Sequence, residues 1–271
     1  MSKALLSSLS HDKANDRVYL MHLHPDDFPQ IGRQIDSLAR KYMYGKVFAK
    51  IPARYFPTFQ KSGYVIEAVV PGLFGEDDGL FLSKYHVTAR SFPEHEAMLV
   101  LQTLLFAEKH PIQETLDNRF SIRPLIPADS AEMARVFSAV FASYPFPITN
   151  PGFLRKTMSN GHTQYVGVFE GTKLVALSSA EVDPIHKNAE MTDFAILPSH
   201  RGDKLAAHLL KWMENRLTEQ GIRTFYTIAR LHEPAMNKTF LNQDYRYAGT
   251  LIRNTQIAGR IESMNVWYKT V

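Results

Sequence analysis

Three carboxylates and one polar turn are the residues of this chain whose types and spacing can do chemistry. Glu190 and Asp193 open an apolar run, Phe194 to Leu197, and Glu262 lies in an alternating stretch near the C-terminus. A carboxylate at a strand end can accept a proton or hold a cationic group. The apolar run is stopped by Pro198 and followed by Ser199, His200, Arg201, Gly202, Asp203 and Lys204. Apolar residues then recur at Leu205, Leu209, Trp212 and Met213, which is helical spacing. The pattern predicts a strand, a tight turn and a helix. The first amides of such a helix have no intrahelical partner and point outward, so an anion, above all a pyrophosphate, can sit on them. His22 and His24 alternate on one strand face, but no third residue stands at ligand spacing, so no metal site is expected.

The elements that must position these groups are legible along the chain. In the first part, strands are expected over 17–23, 46–51 and 64–70, the last closed by Pro71-Gly72. A helix carries Ile31, Ile35, Leu38 and Ala39, and a short one ends at Phe59 to Tyr64. That ending, Phe59-Gln60-Lys61-Ser62-Gly63-Tyr64, has a counterpart in Phe240-Leu241-Asn242-Gln243-Asp244-Tyr245. An acidic loop over 74–79 leads to an amphipathic helix over 94–109, and 111–119 is polar and expected to be a linker. A strand over 122–125, a turn with Asp129 as N-cap and a helix with Met133, Val136, Phe137 and Val140 then start afresh. A rigid aromatic loop over 143–148, a helix from Phe153 and strands over 165–169 and 174–182 follow. Beyond the polar turn come a strand over 222–229, a helix over 234–242, and strands over 249–257 and 261–268 joined as a hairpin through Ala258-Gly259. Two domains are expected, at 1–118 and 119–271.

Composition narrows the function classes. With 271 residues, 45% of them hydrophobic and 21% charged, the chain can bury one or two real cores. A net charge of +4 from scattered basic residues excludes a nucleic-acid platform and suits a polyanionic cofactor. The absence of cysteine excludes disulfides, cysteine nucleophiles and thiolate metal sites. The first ten residues are too short and too broken by serine for a signal peptide, and no apolar run is long enough to span a bilayer. A cytoplasmic location is expected, with no membrane partner.

The turn resembles the acyl-CoA signature of the GCN5-related N-acetyltransferases (GNAT), [Q/R]-x-x-G-x-[G/A], with Arg201 and Ala206 at its two ends. Lys204 stands where that family has its first glycine. Gly202 is nearby, and the Lys204 ammonium could itself meet a phosphate. The resemblance implies an α/β (α+β) fold: a C-terminal acetyltransferase domain on a mixed, mostly antiparallel central sheet. The order strand, helix, helix, three strands, helix, strand, helix, two strands agrees with it. The matching Phe-to-Tyr endings suggest that the smaller N-terminal α/β domain is a diverged half-copy. The implied chemistry is attack of an amine on acetyl-CoA as cosubstrate. A lysine-like amine, with a reference pKa of about 10.4, is nearly all charged at neutral pH and must first lose a proton. In this family the pantetheine arm lies along the strand before the turn, here Phe194-Ala195-Ile196. The cofactor contacts expected are therefore these three residues, His200 to Ala206 and Asn237. Asp193 and Glu190 are the candidates for deprotonating or holding the amine. Relatives use a tyrosine in the helix after the fifth strand as general acid. Phe240 stands there in this chain, so Tyr245, Tyr226 and water remain open for that role.

A closer resemblance covers residues 15 to the C-terminus. Asn15 to Met21, Lys46 to Pro52, Ser143 to Ile148, Glu190 to Ala195 and Glu262 to Lys269 together are similar to the β-lysine N6-acetyltransferases. It implies transfer of acetyl to the terminal amine of β-lysine, giving the compatible solute Nε-acetyl-β-lysine, with a lysine 2,3-aminomutase as pathway partner. Such an acceptor brings two ammonium groups and a carboxylate. Asp193, Glu190, Glu262, Asn265 and Asn237 could meet the former, Arg253 or Arg230 the latter, and Tyr144 and Phe146 could close over the substrate. Another small amine, a protein lysine or a non-catalytic acetyl-CoA sensor are the rival readings, and a homodimer is compatible with all of them.

Overall fold

The computed structural model describes residues 5–112 and 115–271. Residues 1–4 of the stretch read for a leader and 113–114 of the expected linker lie outside the described residues. The first part contains β1 (Ser8–Asp12), β2 (Arg17–His22), α1 (Ile31–Tyr42), β3 (Lys46–Pro52), α2 (Phe56–Lys61), β4 (Val65–Phe74), β5 (Asp77–Tyr85) and α3 (His95–Leu105). The second contains β6 (Phe120–Pro124), α4 (Ser130–Val140), α5 (Pro151–Ser159), β7 (Thr163–Glu170), β8 (Lys173–Asp183) and β9 (Asn188–Ile196). It continues with α6 (Leu205–Glu219), β10 (Thr224–Arg230), α7 (Pro234–Asn242), β11 (Arg246–Ile257) and β12 (Arg260–Thr270). The second run has the order that the acetyltransferase resemblance implied.

Local expectations hold where one face is apolar. Ile31, Ile35 and Ala39 turn α1 onto the sheet, and Leu205, Leu209, Leu210, Met213 and Leu217 do the same for α6. Four details differ. β1 and β5 were not expected, because their polar and apolar residues do not alternate cleanly. β4 continues through Pro71-Gly72 to Phe74, which pairs with Asp77 across a tight hairpin. α3 stops at Leu105. Asp129 does not cap α4; its carboxylate accepts from the Ile126 amide at 2.8 Å and pairs with Arg123.

All twelve strands form one mixed sheet in the order β1-β2-β3-β5-β4-β11-β12-β10-β9-β8-β7-β6. The pairings of β2, β3, β5 and β4 are repeated by β9, β10, β12 and β11: a parallel pair, then two antiparallel ones. The two runs meet at β4 and β11, where Gly249 pairs with Ala68. Gly249 has φ 147°, and a Cβ there would lie 2.0 Å from the Glu67 carbonyl oxygen, so only glycine fits the seam.

Bulges in β4 and β11 on either side of the seam curl the sheet. As a result β3, with four strands between it and β10 in the sheet order, folds over it: Phe48 and Phe81 share an apolar cluster with Tyr226, Leu251, Met264 and Val266. A second core, of Val18, Leu20, Val47, Ala49, Ile51, Leu80 and Leu82, lies under α1 and α2. The third and largest belongs to the C-terminal part. Ala97, Leu101 and Leu104 of α3 pack into it, although α3 precedes the boundary expected at residue 118. No helix among the described residues is long and apolar enough to cross a membrane.

Candidate active site

β9 runs antiparallel to β8 and parallel to β10, but its pairing with β10 covers three residues only and stops at Glu190 opposite Tyr226. Beyond that point the two strands splay. No strand among the described residues pairs with this edge of β9 from Met191 to Ile196, and the cleft so opened leads to the N-terminus of α6.

The residues on the floor of the cleft follow from strand register. Partners across a ladder share a face, so Glu181 opposite Glu190, Ser179 opposite Thr192, and Tyr226 opposite Glu190 all point the same way. By alternation Asp193 would point to the other face. Instead the ladder shifts between Leu177 and Ser179, and Asp193 takes φ 56°, a left-handed conformation that Asp tolerates better than most side chains. The bulge swings its carboxylate onto the same face as Glu190. There it accepts hydrogen bonds from the Ser179 hydroxyl at 2.6 Å and from the Tyr144 hydroxyl.

Among the described residues the cation that acts on Glu181 and Glu190 comes from the N-terminal part. Lys50 on β3 donates from Nζ to the Tyr226 hydroxyl at 2.8 Å, and that hydroxyl bonds in turn to Glu190. Burial raises the pKa of Asp193, against the hydrogen bonds of Ser179, Tyr144 and Thr192. Glu190 is also raised by burial, with Lys50 and Tyr226 opposing. Glu181 is pushed up to about 7, by the loss of hydration around its carboxyl group and by the charges of Glu190 and Asp193. Lys50 shows the converse. Burial pulls its ammonium down, but Tyr19, Glu190, Glu181 and Asp183 outweigh it and hold the pKa above the ordinary value.

At the far end of the cleft, Lys204 precedes α6 with φ 56°. This is the left-handed geometry that explains why a glycine suits the position. Gly202, at φ 100°, and the side chains of Arg201 and Lys204 are exposed at the turn. Asp203 is paired with Arg119 at 2.7 Å, and Leu205 belongs to the core. His200 is turned inward: its ring lies 2.8 Å from the Ser199 hydroxyl and 3.3 Å from Glu170, so its side chain is not available to a phosphate.

Several expected site residues are engaged elsewhere. Tyr245 is fully buried against Phe240, and its hydroxyl faces Glu214 of α6, so it cannot serve as an acid in the cleft. Asn237 donates to the carbonyls of Arg230 and Glu233 and accepts from Asn265 and Trp267, all at 2.8 Å. Its amide has no capacity left for a cofactor. Asn265 is committed to Asn237 and Thr250, and Glu262 to a two-bond pair with Arg230 at 2.9 and 3.0 Å. Arg230 is thereby occupied, and Arg253 donates to the Phe92 carbonyl. Phe146 is 46% exposed at the loop tip. Sequence reasoning missed Lys50, Tyr19, Ser179 and Glu181. Among the described residues no cluster of His, Asp and Glu could hold a metal.

A splayed parallel pair, a bulged strand and a helix N-terminus at the end of the cleft define an acyl-CoA-dependent acetyltransferase fold. The GNAT acetyltransferase family matches residues 132–240. The chain belongs to this family and is a GNAT N-acetyltransferase. It is 36% identical to a β-lysine N(6)-acetyltransferase of Methanococcus maripaludis, over 94% of this chain and 93% of that protein. It is 33% identical to the N-acetyltransferase YodP of Bacillus subtilis, over 99% and 97%. A ribosomal L7/L12 α-N-protein acetyltransferase solved with coenzyme A shares the fold, with a TM-score of 0.51 at 14% identity over 58% of this chain and 97% of the other.

Proposed function

We propose that the protein transfers acetyl from acetyl-CoA to the terminal amine of β-lysine, giving Nε-acetyl-β-lysine. The observation that carries this reading is the set of three carboxylates, Glu181, Glu190 and Asp193, gathered on one face of β8 and β9. Their spacing suits a short diamino acid. Ser179, which holds Asp193, is two residues along β8 from Glu181, or about 7 Å. The two nitrogens of extended β-lysine are about 6 Å apart, counted over five bonds. The β-lysine N6-acetyltransferase identity of the relative from Methanococcus maripaludis supports the same acceptor.

In this reading Asp193 takes a proton from the terminal ammonium, directly or through water, and Glu190 and Glu181 hold the second ammonium. The free amine attacks the thioester carbon. Main-chain amides at the bulge receive the oxyanion, and the C–S bond breaks as the oxyanion collapses. With Phe240 in place of an acid, the thiolate takes one of the two protons left on the attacking nitrogen, through water, and the amide product keeps the other. The diphosphate of the cosubstrate rests on the first amides of α6, beside Arg201 and Lys204, and its pantetheine arm runs along Phe194 to Ile196. The test is purified protein with acetyl-CoA and either β-lysine or α-lysine, with the product mapped by mass spectrometry. N6-acetylation of β-lysine in preference to α-lysine supports the reading; no transfer to β-lysine ends it.

A further inference from the structure

β3 carries two lysines on one face, and they are differently used. Lys46 and Lys50 alternate with Val47, Ala49 and Ile51, which belong to the core under α1. Lys46 is fully buried, and its ammonium is held by Glu67 at 2.9 and 3.3 Å and by the Ile252 carbonyl at 2.6 Å. Those partners occupy its donors. Lys50, four residues further along the strand, is half-buried, and among the described residues its hydrogen-bond partner is the Tyr226 hydroxyl alone. An ammonium has three donors, so Lys50 keeps capacity toward the cleft.

We propose that Lys50 is a specificity-determining residue: it receives the carboxylate of the acceptor, with the hydroxyls of Tyr19 and Tyr226 beside it, and so selects amino acids over plain diamines. This rests on the reading of the cleft as an amine-acetylating site. The charge balance argues for it. Three carboxylates without Lys50 would favour a dicationic diamine. Among the described residues Lys50 is the cation that acts on both Glu181 and Glu190, and so supplies a positive group on this floor for an amino-acid carboxylate. Arg230, the alternative cation, is already paired with Glu262 and Glu233. The curl of the sheet brings Lys50 to Tyr226 across 176 residues of sequence. The N-terminal part thereby contributes to acceptor choice although the cofactor turn lies wholly in the C-terminal part.

The experiment measures kcat/KM of the full chain for two pairs of acceptors that differ only in the carboxylate: β-lysine against 1,4-diaminopentane, and α-lysine against 1,5-diaminopentane. A hydrogen bond between charged groups corresponds to about 10- to 150-fold in affinity. Lys50→Met should lower the ratio of amino acid to diamine by that factor in whichever pair the wild type accepts, mainly through KM. Lys50→Arg should restore most of it. Acetyl-CoA binding by calorimetry and circular dichroism verify that each variant is folded. A ratio unmoved in Lys50→Met, or an equal loss for both members of a pair, overturns the role of Lys50. Wild type that ignores β-lysine but acetylates a member of the second pair ends the β-lysine reading while the ratio there still decides on Lys50. Wild type that accepts none of the four overturns both.

Discussion

Replacing Asp193 by Asn tests the proposed base with little disturbance to the fold. Asn tolerates the left-handed backbone at φ 56° about as well as Asp, and it keeps the size and planarity that Ser179 and Tyr144 contact. What it loses is the ability to take a proton. Losing a general base costs about 10²- to 10⁴-fold in rate, which is about 2.7 to 5.4 kcal/mol of transition-state stabilisation. The assay follows thiol release from acetyl-CoA with β-lysine as acceptor from neutral to alkaline pH. In the wild type, kcat/KM falls on the acidic side as the carboxylate, its pKa raised by burial, is protonated. In Asp193→Asn that limb should disappear, and the rate should climb with pH toward the free amine's own pKa of about 10.4. The same shift has a sign in stability. A carboxylate whose folded pKa is raised favours the folded state below its unfolded pKa and loses that contribution as pH rises through the folded value, so the Asn variant should lack this part of the wild type's gain in acid. A variant within about threefold of wild type, or one that keeps the acidic limb, would refute the assignment, since neither is compatible with about 3 kcal/mol of lost catalysis.

Tyr144→Phe removes a donor that favours the charged form of Asp193, so its pKa should rise further and the acidic limb should move to higher pH; Ser179→Ala should act in the same direction, both read from pH profiles. Gly249→Ala places a methyl group 2.0 Å from the Glu67 carbonyl and 2.8 Å from the Ala68 Cα, and denaturant titration should show a loss on the order of 3 kcal/mol or more. Glu67→Gln leaves the buried Lys46 ammonium without its counter-charge and should cost about 3–5 kcal/mol. Burial already lowers the Lys46 pKa to about 8 despite Glu67, so the loss should shrink as the buffer is made more alkaline and the lysine goes neutral.

The order of elements was legible because most strands and helices here have one apolar face, and periodicity alone reports it. Asp193 was legible too, as a carboxylate set directly against an apolar strand. Its reason for facing the cleft was not: a simple alternation puts it on the wrong side, and the bulge that corrects this arises from register with β8. Glu262, Asn265 and Asn237 show the opposite failure. Polar residues in apolar elements look like a binding site, but here Asn265 donates to Asn237, tying α7 to β10 and β12, and Glu262 is held by Arg230. Lys50 carried one faint signal. A strand whose two faces are both covered has no solvent side on which to leave a charge, so a lysine alternating with Val47, Ala49 and Ile51 needs a partner, and the partner lay in a distant part of the chain.

We infer that the N-terminal part is a diverged half-copy of the C-terminal one, altered where the cofactor would bind. The two Phe-to-Tyr endings match in three dimensions: Phe59 and Tyr64 meet edge-on at 5.1 Å, Phe240 and Tyr245 at 5.3 Å. Tyr64 donates to Asp36 of α1, which pairs with Lys84 of β5; Tyr245 faces Glu214 of α6, which pairs with Lys269 of β12. The supporting frame is thus present twice. At the entrance to the helix the two copies differ in charge. α6 is preceded by Arg201 and Lys204, α1 by Asp26 and Asp27, and Asp27 accepts from the amides of Leu6 and Ser7. A diphosphate carries charge of the same sign as those aspartates and would be repelled there. With no cofactor to hold, the inner face of β2 and β3 is left to do something else, and the polar residues it presents to the cleft, Tyr19 and Lys50, are suited to an acceptor with a carboxylate.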